Sequence, residues 1–135
     1  KNKDSVQFIY RYFPLPSHKN GEISSLAGAA AANQGKFWEM HDQLYTSQPD
    51  WENSSDPTDT FATYAKDLSM DEKKFRDDLK VDAILQKIKT DVEYGNSIGV
   101  NQTPTFYING KKSPGVKTVE EWQALIDEAK TATSP

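Results

Sequence analysis

The stretch "SIGVNQTPTFYINGKK", Ser97 to Lys112, decides how the rest of the chain is read. Its first residues close a helical pattern at Gly99. Thr103–Pro104 then interrupts the backbone, because proline fixes φ and has no N–H to donate. "TFYI" after Pro104 reverts to a two-residue period, which predicts a strand. Asn109–Gly110 is the dipeptide of a two-residue hairpin, whose central positions need positive φ. A return strand is expected near 111–117. Thr118 and Glu121 then stand three residues apart, a capping box that opens a last helix. That helix carries Val119, Trp122, Leu125, Ile126 and Ala129 on the face expected to be buried.

Upstream of this stretch the period is almost wholly helical from about 20 to 98. Val81, Ile84, Leu85, Ile88, Val92, Gly95 and Ile98 fall on one face of a long helix. Before it, Ser69 and Glu72 match a capping box opening a short helix with Phe75 and Leu79. "TFATYAKDL" spaces Phe61, Tyr64, Ala65 and Leu68 helically, with Asp56 as N-cap and Pro57 at the first helical position. "PDWENSSDPTD" before it is a polar turn region. "KFWEMHDQLYTSQ" lines up Phe37, Met40, His41, Leu44 and Tyr45. "EISSLAGAAAANQG" lines up Ile23, Leu26, Ala27 and Ala30, an alanine face that permits close helix packing, and stops at Gly35.

The start of the sequence is different. "SVQFIYRYFPLP" (5–16) sets Val6, Phe8, Tyr10 and Tyr12 against Gln7, Ile9, Arg11 and Phe13. Both faces are largely apolar, as in an interior strand over 5–13, and Pro14 and Pro16 end it. The predicted order is strand, about five helices, two hairpin strands and a helix: an α/β unit with inserted helices.

Composition narrows the function classes. The net charge of −4, with acidic and basic residues interspersed, offers no basic stripe for a nucleic acid. The longest apolar run, "LAGAAAA" at 26–32, is too short to cross a bilayer. There is no cysteine, so no disulfide scaffold, Cys-ligated zinc or thiol chemistry is available to this chain alone.

Few side chains suggest chemistry by themselves. His18 and His41 are the only histidines and lack a further ligand at zinc-like spacing, so no metal site is expected. His41 lies on an apolar helical stripe and reads as a core or boundary residue; His18 reads as a solvated loop residue. Trp38 and Trp122 occupy core-facing helical positions, and Trp51 reads as a packing residue within a polar turn. "DEKKFRDDLK" reads as a solvated helix face. Asn53-Ser54-Ser55 fits a glycosylation acceptor pattern, which would mean nothing were the source bacterial. Thr103–Pro104 is the sharpest feature, read either as an ordinary trans proline before an edge strand or as a cis turn.

Four stretches together resemble the DsbA-like thiol-disulfide oxidoreductases. "VQFIYRYFPLPSHKN" looks like the strand after that family's active-site helix, and "AAAANQGKFWEMHDQLY" like its paired insertion helices. "FATYAKDLSMDEKKFRDDL" looks like the next helical pair, and "DVEYGNSIGVNQTPTFYING" like the helix entering its proline loop and hairpin. The resemblance covers nearly the whole chain in order. It implies a thioredoxin-like fold with residues 1–16 and 99–135 as the thioredoxin-like part and 17–98 as a helical insertion. It also implies a cis Thr103–Pro104 bond, with Thr103 and Pro104 binding an extended peptide or unfolded protein substrate.

The resemblance further implies a bacterial extracytoplasmic location, no cofactor, and a redox partner protein. The family's central strand and Cys-x-x-Cys helix precede the segment matched at 5–13 and have no counterpart in this sequence. No catalytic residue can therefore be named. The sheet is expected to be completed by a missing N-terminal segment, by a second chain, or by direct pairing of 5–13 with 104–108. Two other readings stand beside the oxidoreductase. One is a redox-inactive thioredoxin-like module that binds peptides or proteins; the other is a relative of the glutathione-dependent isomerases and transferases.

Overall fold

Small side chains set the first helix. In the computed structural model, which describes residue 2 and residues 4–132 (the side chain of Pro114 apart), α1 runs Gly21–Ala32 and buries Leu26, Ala27, Gly28, Ala29, Ala30 and Ala31. Alanine forms helix at least cost and lets neighbouring helices approach closely. The helix stops where expected. Gly35 adopts φ +71°, and Lys36 N–H donates back to Ala31 O at 2.9 Å, which satisfies a carbonyl the helix leaves open.

The helices α2 (Phe37–Thr46), α3 (Gln48–Trp51), α4 (Thr58–Asp67), α5 (Glu72–Asp78) and α6 (Asp82–Ser97) follow. Met40, Phe61, Phe75 and Ile88 are the largest fully buried side chains of the core they form with α1. The polar turn before α4 holds one short helix, α3. The start of α4 falls one residue later than expected: Pro57 is the N-cap instead of the first helical residue, and Asp56, one place before it, accepts the Thr58 N–H on Oδ1 at 2.9 Å. Asn20 is buried at the start of α1 and donates from Nδ2 to the carbonyls of Trp51, Glu52 and Ser54 at 2.8, 3.2 and 3.0 Å. One amide thereby ties the α3–α4 connection to the core.

The capping box expected at Ser69 and Glu72 does not form. Ser69 takes φ +62° as the left-handed residue that ends α4, and Met70 N–H donates to Ala65 O at 2.9 Å. The cap passes to Asp71, whose Oδ1 accepts from Lys74 N at 2.8 Å. The preceding helix claims the serine before the following one can use it.

The strand expected over 5–13 is likewise absent. Ser5 lies in a turn and residues 6–13 take no regular secondary structure; among the described residues the only sheet is β1 (Thr105–Ile108) paired with β2 (Lys111–Pro114). Direct pairing of 5–13 with 104–108 is not realised. Apolar alternation prepares a segment for a ladder; the ladder itself needs a neighbour. Phe8 and Ile9 are consequently 60% and 61% exposed.

The rest of the segment is anchored by its side chains. Tyr12 is buried, and Tyr10 packs on Phe37 and Tyr12 with ring centroids 5.0 and 5.4 Å apart. Burial, and then the Asp91 carboxylate, push the Tyr12 phenol up to about 12. Burial also raises Tyr10, with Tyr45 adding to the effect.

Residues up to Gly95 form one compact unit and those from Asn96 a second. The second contains the hairpin and α7 (Val119–Ala132). Asn109 and Gly110 adopt φ +46° and +83°, the positive values the tight turn demands, and Tyr107 stands opposite Lys112 in the antiparallel register. The return strand ends at Pro114, short of the expected 117, because proline cannot donate to the ladder. Thr118 and Glu121 do form a reciprocal capping box, at 2.7 and 3.2 Å. The face of α7 is less buried than its periodicity predicts: Val119 is 74% exposed, and Trp122, Leu125, Ile126 and Ala129 are half-buried. A two-stranded hairpin is too small a surface to cover a helix of this length.

Candidate functional site

Gly99, at φ +75°, lets the chain leave α6, and its N–H donates to Asn96 O at 3.1 Å. The loop that follows ends in a cis Thr103–Pro104 peptide immediately before β1. Both residues are exposed. The carbonyls around Thr103 are occupied. Thr105 Oγ1 donates to Gln102 O at 2.7 Å, and Gly115 N to Pro104 O at 3.0 Å. Earlier in the loop, Tyr107 Oη donates to Ile98 O at 2.8 Å, and Lys112 Nζ to Gly99 O. Among the described residues, the N–H and C=O of Thr103 itself have no hydrogen-bond partner.

This arrangement presents one free backbone donor and one free acceptor in the bend that immediately precedes β1. Such a pair can bind an extended polypeptide through its main chain, independent of side-chain identity. It cannot perform thiol exchange, since the chain contains no sulfur nucleophile.

His41 is half-buried among the rings of Phe37, Trp38 and Tyr45, with Nδ1 3.0 Å from Asp42 Oδ1. His18 is exposed, and no group of three metal-ligating side chains occurs among the described residues. Trp51 packs on Phe61 and donates from Nε1 to Leu44 O at 2.9 Å, a structural role. Trp122 packs edge-to-face on Phe106 with centroids 4.5 Å apart. Trp38 departs from its expected core position: it is 47% exposed and contacts Phe8 and Phe37. The stripe of α2 that reaches the core is the one through Met40 and Leu44. Tyr107 and Lys112 escaped the sequence reading, because their partners are backbone carbonyls of a loop that no side-chain pattern marks.

No helix among the described residues is long and apolar enough to cross a membrane. The chain resembles segments of much longer proteins. It is 34% identical over 126 residues to the Na(+)/H(+) antiporter NhaA 3 of Salinispora tropica, a match covering 93% of this chain and 19% of that protein. The Na(+)/H(+) antiporter NhaA of Herminiimonas arsenicoxydans is 29% identical over 130 residues, 96% of this chain and 20% of its own length. The Na(+)/H(+) antiporter NhaA 1 of Mycolicibacterium gilvum is 34% identical over 115 residues, 83% of this chain and 18% of its own length. The chain thus spans about a fifth of the length of these curated relatives. No solved structure matches. The family described as Thioredoxin matches residues 1–128, taking in the helices, the proline loop, the hairpin and most of α7, and the chain belongs to that family.

Proposed function

We propose that this chain is part of a DsbA-like thiol-disulfide oxidoreductase that acts on protein disulfides outside the cytoplasm. The observation that carries the reading is the exposed Thr103 peptide unit, free at both N–H and C=O beside a strand, in a chain of the Thioredoxin family. An extended or unfolded substrate would pair there as an added strand. A thiolate on another segment, or on a second chain, would attack the substrate disulfide to give a mixed disulfide. The departing sulfur leaves as thiolate, and a second cysteine would resolve the mixed species.

On this reading residues 1–16 and 99–135 make the thioredoxin-like part, and 17–98 the helical insertion. The 5–13 segment would take its neighbouring strand from the same source as the thiols. A periplasmic or cell-envelope location suits the chemistry, because disulfides persist in oxidising compartments. No cofactor is called for. A redox partner protein would restore the thiol pair.

One observation favours a second reading. Relatives matched over 83–96% of this chain bear the names of ion transporters. A redox-inactive thioredoxin-like module that binds peptide or protein, carried within a larger polypeptide, fits both those names and the absence of cysteine. Peptide binding at Thr103 is common to both readings. It is tested by titrating the isotope-labelled chain with a short, unstructured peptide of alternating valine and serine, followed by amide resonance shifts. Shifts centred on Thr103 and Thr105 support the site. A uniform absence of shifts contradicts it.

A further inference from the structure

We propose that Tyr107 and Lys112 are positioning residues: together they grip the exit of α6 and hold the 98–104 loop so that Thr103 keeps its peptide groups free for a bound chain. The inference rests on the peptide-binding reading and names the device that serves it.

Tyr107 and Lys112 are directly opposite in the β1–β2 ladder, so their side chains share one face of the hairpin. From that face the Tyr107 hydroxyl donates to Ile98 O, and the Lys112 ammonium to Gly99 O. Those are consecutive carbonyls just past the end of α6, where the helix dipole concentrates negative charge. A cation and a neutral donor there satisfy carbonyls that the helix cannot satisfy itself. Thr105, two residues before Tyr107 and therefore on the same face, closes the far side of the loop through Gln102 O.

The opposite face has different work. Phe106 packs edge-to-face on Trp122 of α7, and Lys111, opposite Ile108, pairs with Glu128 at 2.9 Å. One face of the hairpin thus carries the packing and the other carries the loop. That division separates positioning from stability. Removing the Tyr107 and Lys112 donors leaves the α7 contacts in place and releases only the loop.

The test compares the unmodified chain, the double variant Tyr107→Phe/Lys112→Met, and Lys112→Arg, which retains a cationic donor. Backbone order parameters of residues 100–103 are measured, with amide exchange over 105–108 as the control for folding. In the double variant the order parameters are expected to fall below about 0.6 while hairpin protection persists. Affinity for the valine–serine peptide is expected to weaken roughly threefold to tenfold, the effect of lost hydrogen bonds of ordinary strength. Lys112→Arg is expected to stay near the unmodified chain in both readouts. Unchanged order parameters in the double variant would overturn the proposal, as would an affinity loss that appears only alongside loss of hairpin protection. Failure of the unmodified chain to bind any peptide would instead overturn the peptide-binding reading. The two failures are therefore told apart.

Discussion

Asp91 and Arg11, eighty residues apart in sequence, meet at 2.8 Å between Oδ1 and Nη1, and only the carboxylate is buried. Its side chain is 3% exposed against 60% for Arg11. The second carboxylate oxygen accepts the Tyr12 N–H at 3.2 Å. This pair fastens the N-terminal segment to α6 through side chains.

The asymmetry makes the two partners unequal. Arg11→Met leaves a buried carboxylate without its counter-charge and is expected to cost about 3 kcal/mol. Asp91→Ala returns Arg11 to water and orphans only the Tyr12 N–H, for about 1–2 kcal/mol. The double variant is expected to cost clearly less than the sum, because each single change already breaks the contact. Urea unfolding of the four species checks this.

Gly28 sits inside α1 among buried alanines. A methyl group built there would lie 3.5 Å from Phe37 Cε2 and 3.8 Å from Tyr12 Cε1, ordinary contact distances. Gly28→Ala is therefore expected to stabilise by about 0.5–1 kcal/mol, through the helix preference of alanine. Gly28→Val should reverse the gain, since its extra methyls have little space beside the two rings. Thermal melting of both variants decides it.

The phenols of Tyr10 and Tyr12 make the fold sensitive to base. Burial holds both neutral, with the Asp91 carboxylate assisting at Tyr12 and Tyr45 at Tyr10. A pKa raised on folding contributes stability that is full below the unfolded value of about 10. That contribution is lost as pH rises from there toward about 12, the folded value of Tyr12. The urea midpoint should fall across this window, and Tyr12→Phe should flatten the fall.

Phe106 and Trp122 carry much of the second unit, since none of α7 is fully buried. Trp122→Ala is expected to cost roughly 2 kcal/mol, less than truncation of a fully buried tryptophan. Amide exchange should accelerate over 105–108 and leave α1 and α4 protected.

What could be read from sequence was what the sequence settles locally. Gly35, Asn109–Gly110 and the Thr118–Glu121 box each act within a few residues, and each is found in its expected place. Ser69 shows the limit of such rules. It satisfied a helix-start pattern, yet the end of α4 took it first, and Asp71 supplied the cap. The 5–13 segment shows a different limit: an apolar pattern on two faces states what a strand would bury and cannot state whether a partner is present. The face of α7 fails for the same reason, because periodicity gives a direction and the covering surface is set elsewhere. Within the candidate site, Thr103–Pro104 was legible as a dipeptide. The Tyr107–Lys112 grip was not, since it exists only once the hairpin register brings the two side chains onto one face.

The measurement that tests the central claim most directly is the intact mass of the protein as its source organism makes it, before and after thiol alkylation. The oxidoreductase account predicts a mass well above 15.2 kDa, or a tightly held second chain, with a pair of alkylatable cysteines in a Cys-x-x-Cys segment. A mass of 15.2 kDa that alkylation leaves unchanged, with no second chain, would contradict it and leave peptide binding at Thr103 as the activity of this chain.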